Sequence, residues 1–260
     1  MRKFPFAKFQ YQFASCQGQG CRIFQEDVIG KTEICKGGLN SAEEFFMMIS
    51  DGMGGLENGE KCAQITRNIF LENIRQIDHK DIPGSLVNTA NLANEAVTTE
   101  NQKRNVRGGC TLAGIYVWQD RLYWISVGDS LIFIFRNHVL YQMNEEHLVK
   151  FRLYDEFLAS PQKVLLNSQT DKRILHRLTS YIGKEPLTRI DYNRTPFPIH
   201  FHDKILICSD GVTNTISHQD LVTALAQKNA EASSRKIDEY ILKRNNPVQD
   251  NYSACIIFCG

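Results

Sequence analysis

Apolar and polar positions along this chain alternate with two different periods. Short runs rich in β-branched and aromatic residues occupy 44–50, 111–118, 121–127, 131–136, 204–209 and 252–258. Turn-forming residues bound each run, and the pattern predicts β-strands. Gln119-Asp120 separates the second run from the third, and Arg136-Asn137-His138 lies between 131–135 and 139–142. Each of these turns predicts a hairpin, and consecutive hairpins mean antiparallel sheet. Helical spacing appears elsewhere. Over 59–74, Cys62, Ile65, Ile69 and Phe70 share a face, and over 85–100, Leu86, Ala90, Ala93 and Val97 do the same, with Ser85 as the predicted N-cap. Ser217 opens a third helix reaching about residue 227, and 230–242 is a fourth. A helix pair before and a helix pair after a strand-rich middle predict an α+β fold in which packed sheets are covered by helices. Residues 151–171 are the least periodic, and a mobile loop or flap is expected there.

Composition narrows the classes. No linker and no internal repeat divides the 260 residues, so one domain over 1–260 is expected. The 42% hydrophobic and 23% charged fractions are those of a globular protein and exclude a disordered, collagen-like or coiled-coil chain. Thirty basic against twenty-nine acidic residues leave a net charge of +1, which gives no electrostatic reason to expect nucleic acid or an anionic membrane as partner. No apolar run approaches the ~18 residues of a membrane span. The opening Met1-Arg2-Lys3-Phe4-Pro5 has no signal-peptide pattern, so a cytoplasmic location is expected. The eight cysteines contain no C-x-x-C pair, so zinc-site spacing is missing and they read as reduced thiols.

The informative feature is what ends the strands. The run 45–49 leads into Ser50-Asp51-Gly52 and the run 205–208 into Ser209-Asp210-Gly211, the same tripeptide about 160 residues apart. The run 123–127 leads into Gly128-Asp129-Ser130, Asp250-Asn251 precedes the last strand, and Glu26-Asp27 follows Gly20-Cys21-Arg22. Any one of these is ordinary turn chemistry, since Asp bonds nearby amides and Gly accepts a positive φ. Together they describe carboxylates converging on one cleft, where like charges repel unless divalent cations neutralise them. An all-oxygen donor set points to hard ions, Mn²⁺ or Mg²⁺, and two such ions can activate a water for in-line attack at phosphorus. Arg22 offers a planar fork for phosphate.

At these residues the sequence resembles the metal-dependent protein serine/threonine phosphatases of the PPM family, type 2C, in their bacterial form. The segment from Gly20 to Asp27 is similar to the family's G-x-R-x-x-x-E-D opening, and Ser50-Asp51-Gly52-Met53-Gly54-Gly55 to its D-G-M-G-G segment. Gly109-Cys110-Thr111-Leu112 stands at G-T-T-L, Val127-Gly128-Asp129-Ser130 at V-G-D-S, and Leu178–Gly183 at L-T-R-A-L-G. Cys208-Ser209-Asp210-Gly211-Val212-Thr213-Asn214 resembles C-S-D-G-L-T-N, and Asp250-Asn251 the final D-N. These ordered blocks span about residues 15–259.

The resemblance implies a β-sandwich of two antiparallel sheets flanked by helix pairs, in α-β-β-α layers. It implies hydrolysis of phosphoserine and phosphothreonine in proteins by a hydroxide bridging two metal ions. By position, Asp51 would bridge both ions, Asp210 and Asp250 would bind the first, and Glu26 with the Gly52 carbonyl the second. Asp27 would contribute directly or through water, Asp129 would bind a third, weaker ion, Arg22 would hold the substrate phosphate, and Asn251 would orient Asp250. The expected partner is a phosphorylated protein, a cognate Ser/Thr kinase or its targets, and the expected state a monomer. Three positions depart from the family pattern: Leu131 replaces an arginine, Met53 stands where eukaryotic members often carry histidine, and Cys110 replaces a threonine. None removes a candidate ligand. The alternative is a non-catalytic module that binds phosphoproteins through the same cleft.

Overall fold

The computed structural model describes residues 9–34, 44–53, 58–159 and 172–260. In chain order it runs β1 (Tyr11–Gly18), β2 (Asp27–Glu33), β3 (Glu44–Asp51), α1 (Gly59–Asn73), α2 (Ile82–Arg104), β4 (Leu112–Trp118), β5 (Arg121–Val127), β6 (Leu131–Arg136) and β7 (Val139–Gln142). It continues with α3 (Val149–Ala159), α4 (Lys172–Leu175), β8 (Asp191–Tyr192), β9 (Phe197–Pro198), β10 (Lys204–Cys208), α5 (Asp210–Thr213), α6 (His218–Leu225), α7 (Ala230–Arg244) and β11 (Tyr252–Cys259). One sheet has the order β1-β11-β10-β6-β7 and the other β2-β3-β4-β5-β8, with β9 also on β5. Every strand pairing between these elements is antiparallel.

The central strands are apolar on both faces because both faces are covered. Along β3, Phe45, Met47 and Ile49 point into the space between the sheets, where they meet Ile115, Ile205, Ile207, Cys255 and Ile257. Phe46 and Met48 point the other way, onto Phe70, Leu86, Ala90 and Val97 of α1 and α2. The period of two along β11 does the same: Cys255 and Ile257 face the opposite sheet, while Ala254 and Ile256 face Leu221, Ile237 and Ile241 of α6 and α7. The result is helix pair, sheet, sheet, helix pair, as expected.

Three sequence expectations need adjustment. The edge strands β1 and β2 are additional to the predicted set. Residues 149–159 form α3, so the first part of the expected flap is helical, and 160–171 lie outside the described residues. The second helix starts at Ile82 rather than at Ser85. Its N-cap is Asp81, whose side chain accepts from the Gly84 N–H at 2.9 Å, and Pro83 fits the first turn where no N–H partner is required. The Ser85 hydroxyl instead donates to the Asp81 carbonyl at 2.9 Å. Ser217 does cap α6, in a reciprocal box with Asp220. Among the described residues all cysteines are free, and Cys62, Cys110, Cys208, Cys255 and Cys259 are buried. Burial raises their thiol pKa values, to about 11 for Cys110. Among the described residues no helix is long and apolar enough to cross a membrane.

Candidate active site

Two sheets bring their acidic ends to one edge of the sandwich. Asp51 closes β3 and stands opposite Asp27, the first residue of β2, in the strand register. Asp210 follows β10 after Ser209 and opens α5, and Asp250 precedes β11, the neighbour of β10. The first pair therefore grows from one sheet and the second from the other.

Burial raises the proton affinity of Asp51 well above the carboxylate range, and the negative charges of Asp27, Asp210, Asp129 and Asp250 raise it further. Asp27, Asp129 and Asp210 shift the same way, each first through burial. For Asp210 the next contribution is the charge of Asp250, and for Asp27 and Asp129 the charge of Asp210 adds to the shift. Glu26 is raised by burial, partly offset by Arg22. Five carboxylates proposed from sequence are thus in one electrostatic neighbourhood with Asp51.

Hydrogen bonds from both sheets fix this edge. The Ser209 hydroxyl donates to Asp27 Oδ2 at 2.8 Å and accepts the Ser253 N–H at 3.0 Å. Gln17 Nε2 reaches the Asp27 carbonyl at 2.9 Å and Ser253 Oγ at 3.0 Å. Asn214 Nδ2 donates to Asp210 Oδ2 at 3.1 Å. Thr111 holds the Asp51 backbone from both sides, accepting its N–H at 3.0 Å and donating its own N–H to the Asp51 carbonyl at 2.8 Å. Its hydroxyl also lies 2.7 Å from that of Ser130, next to Asp129. Behind Asp129, the Gly128 N–H donates to His147 Nδ1 at 3.1 Å, and the His147 N–H returns to the Gly128 carbonyl at 2.8 Å. Gln17 and His147 are structural supports that sequence reasoning missed. Neither sits in one of the acidic blocks, so only the fold connects them to the site.

Close backbone approach sets the positions of Glu26 and Gly52. The Gly52 N–H donates to the Glu26 carbonyl at 3.1 Å. A Cβ on Gly52 would stand 2.6 Å from the Gly59 carbonyl carbon and 2.8 Å from the Glu26 carbonyl oxygen. The Glu26 carboxylate lies by the N-terminus of α1, where the Glu60 backbone N–H favours its charged form. A Cβ on Gly59 would lie 2.5 Å from Glu26 Oε1.

Arg22 and Asn251 each have partners that the sequence does not indicate. Arg22 Nη2 pairs with Asp250 Oδ2 at 2.6 Å, so the guanidinium expected to hold phosphate here holds an acidic side chain of the same cleft. Asn251 meets the Asp250 carboxylate through its backbone N–H at 2.8 Å. Its side chain is occupied elsewhere: Oδ1 accepts the Glu26 N–H at 2.9 Å, and Nδ2 donates to the Gln19 and Phe24 carbonyls at 2.8 and 3.0 Å. Asn251 thus ties down the loop carrying Arg22 and Glu26 with its side chain and meets the Asp250 carboxylate with its backbone.

Among the described residues, no three His, Cys, Asp or Glu side chains already close around a single point suited to an ion. The donor chemistry nonetheless fits hard divalent cations. All candidate ligands are oxygens, they raise one another's proton affinity, and Asp27 Oδ1 is buried with no hydrogen-bond partner.

Two antiparallel sheets between helix pairs thus bring acidic strand ends from both sheets to one edge. The chain belongs to the protein phosphatase 2C family, whose model matches residues 11–152. It is 26% identical over 225 residues to the serine/threonine phosphatase stp of Listeria monocytogenes, covering 84% of this chain and 86% of that protein. Its fold is similar to that of PppA of Pseudomonas aeruginosa, a regulatory component of T6SS, with a TM-score of 0.77 at 22% identity over 96% of this chain and 98% of the other. It is similar also to the catalytic domain of the phosphatase PstP, solved with two manganese ions, with a TM-score of 0.73 at 20% identity, covering 97% and 99%.

Proposed function

We propose that this chain hydrolyses phosphoserine and phosphothreonine monoesters in proteins, using two Mn²⁺ or Mg²⁺ ions and a third, weaker one. The observation that carries this reading is the convergence on Asp51, whose carboxyl feels four other carboxylates drawn from both sheets. In this reading Asp51 serves both principal ions, Asp210 and Asp250 the first, and Glu26 with the Gly52 carbonyl the second. Asp27 joins directly or through water, and Asp129 holds the third ion. When bound, the ions supply positive charge that offsets the cluster and acidify a water for in-line attack on phosphorus.

The protein's own groups do the rest. Ser209 and Asn214 hold Asp27 and Asp210 in place, and Thr111 fixes the strand end that carries Asp51. Arg22 presents a half-exposed fork whose present partner is a carboxylate, so a phosphate dianion competes for donors already aimed at an anion. The Listeria relative's name and the manganese in PstP support the same reading. The partner is then a phosphorylated protein, the product of a Ser/Thr kinase, acted on by a monomer.

Turnover of p-nitrophenyl phosphate and of a phosphothreonine peptide tests the proposal, with Mn²⁺, with Mg²⁺ and with EDTA, alongside Asp51→Asn. Metal-dependent turnover that is lost in the folded variant is the expected result. Activity in EDTA, or a normal kcat for Asp51→Asn, would overturn it. Stoichiometric phosphopeptide binding without turnover would instead identify the non-catalytic module.

A further inference from the structure

Next to Arg22, two large apolar side chains stand in water. Ile23 is 83% exposed and Phe24 69%. Loose backbone is not the reason. Gln19 Nε2 donates to the Arg22 and Ile23 carbonyls at 2.7 and 2.8 Å, and Asn251 Nδ2 to the Phe24 carbonyl at 3.0 Å. Gln25 is fastened to the Gly18 carbonyl at 3.0 Å and to the Asp27 N–H at 3.0 Å. With its carbonyls pinned to the protein, this loop turns Ile23 and Phe24 outward. Isolated exposed apolar residues are common, but an adjacent pair on fixed backbone beside the Arg22 guanidinium is a patch with a definite neighbour.

The neighbour limits what can cover it. A phosphorylated side chain is covalently tied to its own backbone, and consecutive Cα atoms are about 3.8 Å apart. Any polypeptide whose phosphate lies against Arg22 must carry its next one or two residues across the surface around that side chain. From Gly18 to Gln25 that surface has a single charged residue, Arg22 itself, and it is apolar at 23 and 24. The Ile23 and Phe24 side chains offer a charged flanking residue no partner and cost it hydration, whereas an apolar one removes both surfaces from water.

We propose that Ile23 and Phe24 are specificity-determining residues that dock an apolar side chain lying within two residues of the phosphorylated position in the protein substrate. The inference rests on the phosphatase reading and names its substrate class more narrowly: phosphosites with an aliphatic or aromatic flank, disfavouring acidic flanks.

Phosphothreonine peptides of equal length, carrying leucine or aspartate at each of the four positions within two residues of the phosphothreonine, test it. Rates are normalised to p-nitrophenyl phosphate turnover by the same Mn²⁺-loaded protein, because that substrate has no flanking residue. At the best position, leucine is expected to exceed aspartate by about tenfold or more in kcat/KM, expressed mainly in KM. The double variant Ile23→Ser, Phe24→Ser should shrink that preference to about twofold, and Phe24→Leu, which keeps the surface apolar, should retain it. Equal rates for the leucine and aspartate peptides, with p-nitrophenyl phosphate still turned over, would overturn the inference while leaving the phosphatase reading standing. So would a preference that survives in the double variant, or a patch that proves by sedimentation to be covered by a second copy of the chain. Failure of the unsubstituted protein to hydrolyse any of these substrates would overturn both.

Discussion

Acidification should weaken this fold through His147 by an amount the structure sets. The side chain is fully buried. Its Nδ1 accepts the Gly128 N–H, its Nε2 has no partner, and its carbonyl takes the Thr179 N–H at 2.7 Å. Burial, helped by the positive charge of Arg189, pushes the imidazole pKa down from 6.5 to about 4. Protonation would consume the lone pair that receives Gly128 and would place a charge where no anion waits, so the unfolded chain binds the proton first. Stability from the neutral ring is fully present above pH 6.5 and is lost as pH falls toward 4. At pH 4.5 the loss is about 2.5 kcal/mol, and the slope cannot exceed about 1.4 kcal/mol per pH unit for one proton. Other groups titrate in the same range, so the quantity to measure is a difference. Urea unfolding of the wild type and of His147→Phe should be followed in EDTA at pH 7.5, 6.5, 5.5 and 4.5. At pH 7.5 the variant is less stable by about 1–3 kcal/mol, because the Gly128 N–H is left buried and unpaired. By pH 4.5 that gap should shrink by about 2.5 kcal/mol. A gap that stays constant with pH would refute the assignment of a buried neutral histidine with a bonded Nδ1.

Two other substitutions probe the site directly. A methyl group on Gly211 would fall inside the contact distance of the Asn251 carbonyl oxygen, which is main chain and cannot swing aside. Gly211→Ala should therefore cost about 1–3 kcal/mol and abolish the rise in melting temperature expected of the wild type with Mn²⁺, read by calorimetry with and without EDTA. Arg22→Ala removes an exposed guanidinium, so stability should move by no more than about 0.5 kcal/mol while KM for phosphopeptide rises and kcat changes less, as steady-state kinetics will show. An unchanged KM would mean that the Asp250 pairing, not phosphate, is what Arg22 is for.

How much of this was legible beforehand depends on how many sides of an element are buried. The strands 44–50, 204–209 and 252–258 were readable because helices cover one face and the other sheet covers the second, leaving continuous apolar runs. The edge strand β1 was not, since its exposed and half-exposed residues alternate around a single buried one, Ala14, and half of its residues are polar or glycine. β2 begins at a buried aspartate and carries Gly30 and Lys31, which break the pattern in the same way. At the second helix, Ser85 competed with Asp81 as cap, and the decisive signal was Pro83, which fits only if the helix has already begun. In the site, Asp51 and Asp210 announced themselves through a repeated tripeptide at strand ends. The side-chain partners of Asn251 depended on a loop more than 220 residues away, a separation that sequence spacing does not encode.

The acidic edge is assembled from opposite layers: Asp27 and Asp51 from one sheet, Asp210 and Asp250 from the other, with Ser209 spanning the seam to Asp27. No single layer owns the constellation. Competence is then a property of how the two layers seat on each other. A chain whose sheets are intact but displaced by a fraction of a strand spacing would keep its circular dichroism and lose its chemistry. Catalytic rate is thereby a finer gauge of sandwich closure than any measure of secondary structure.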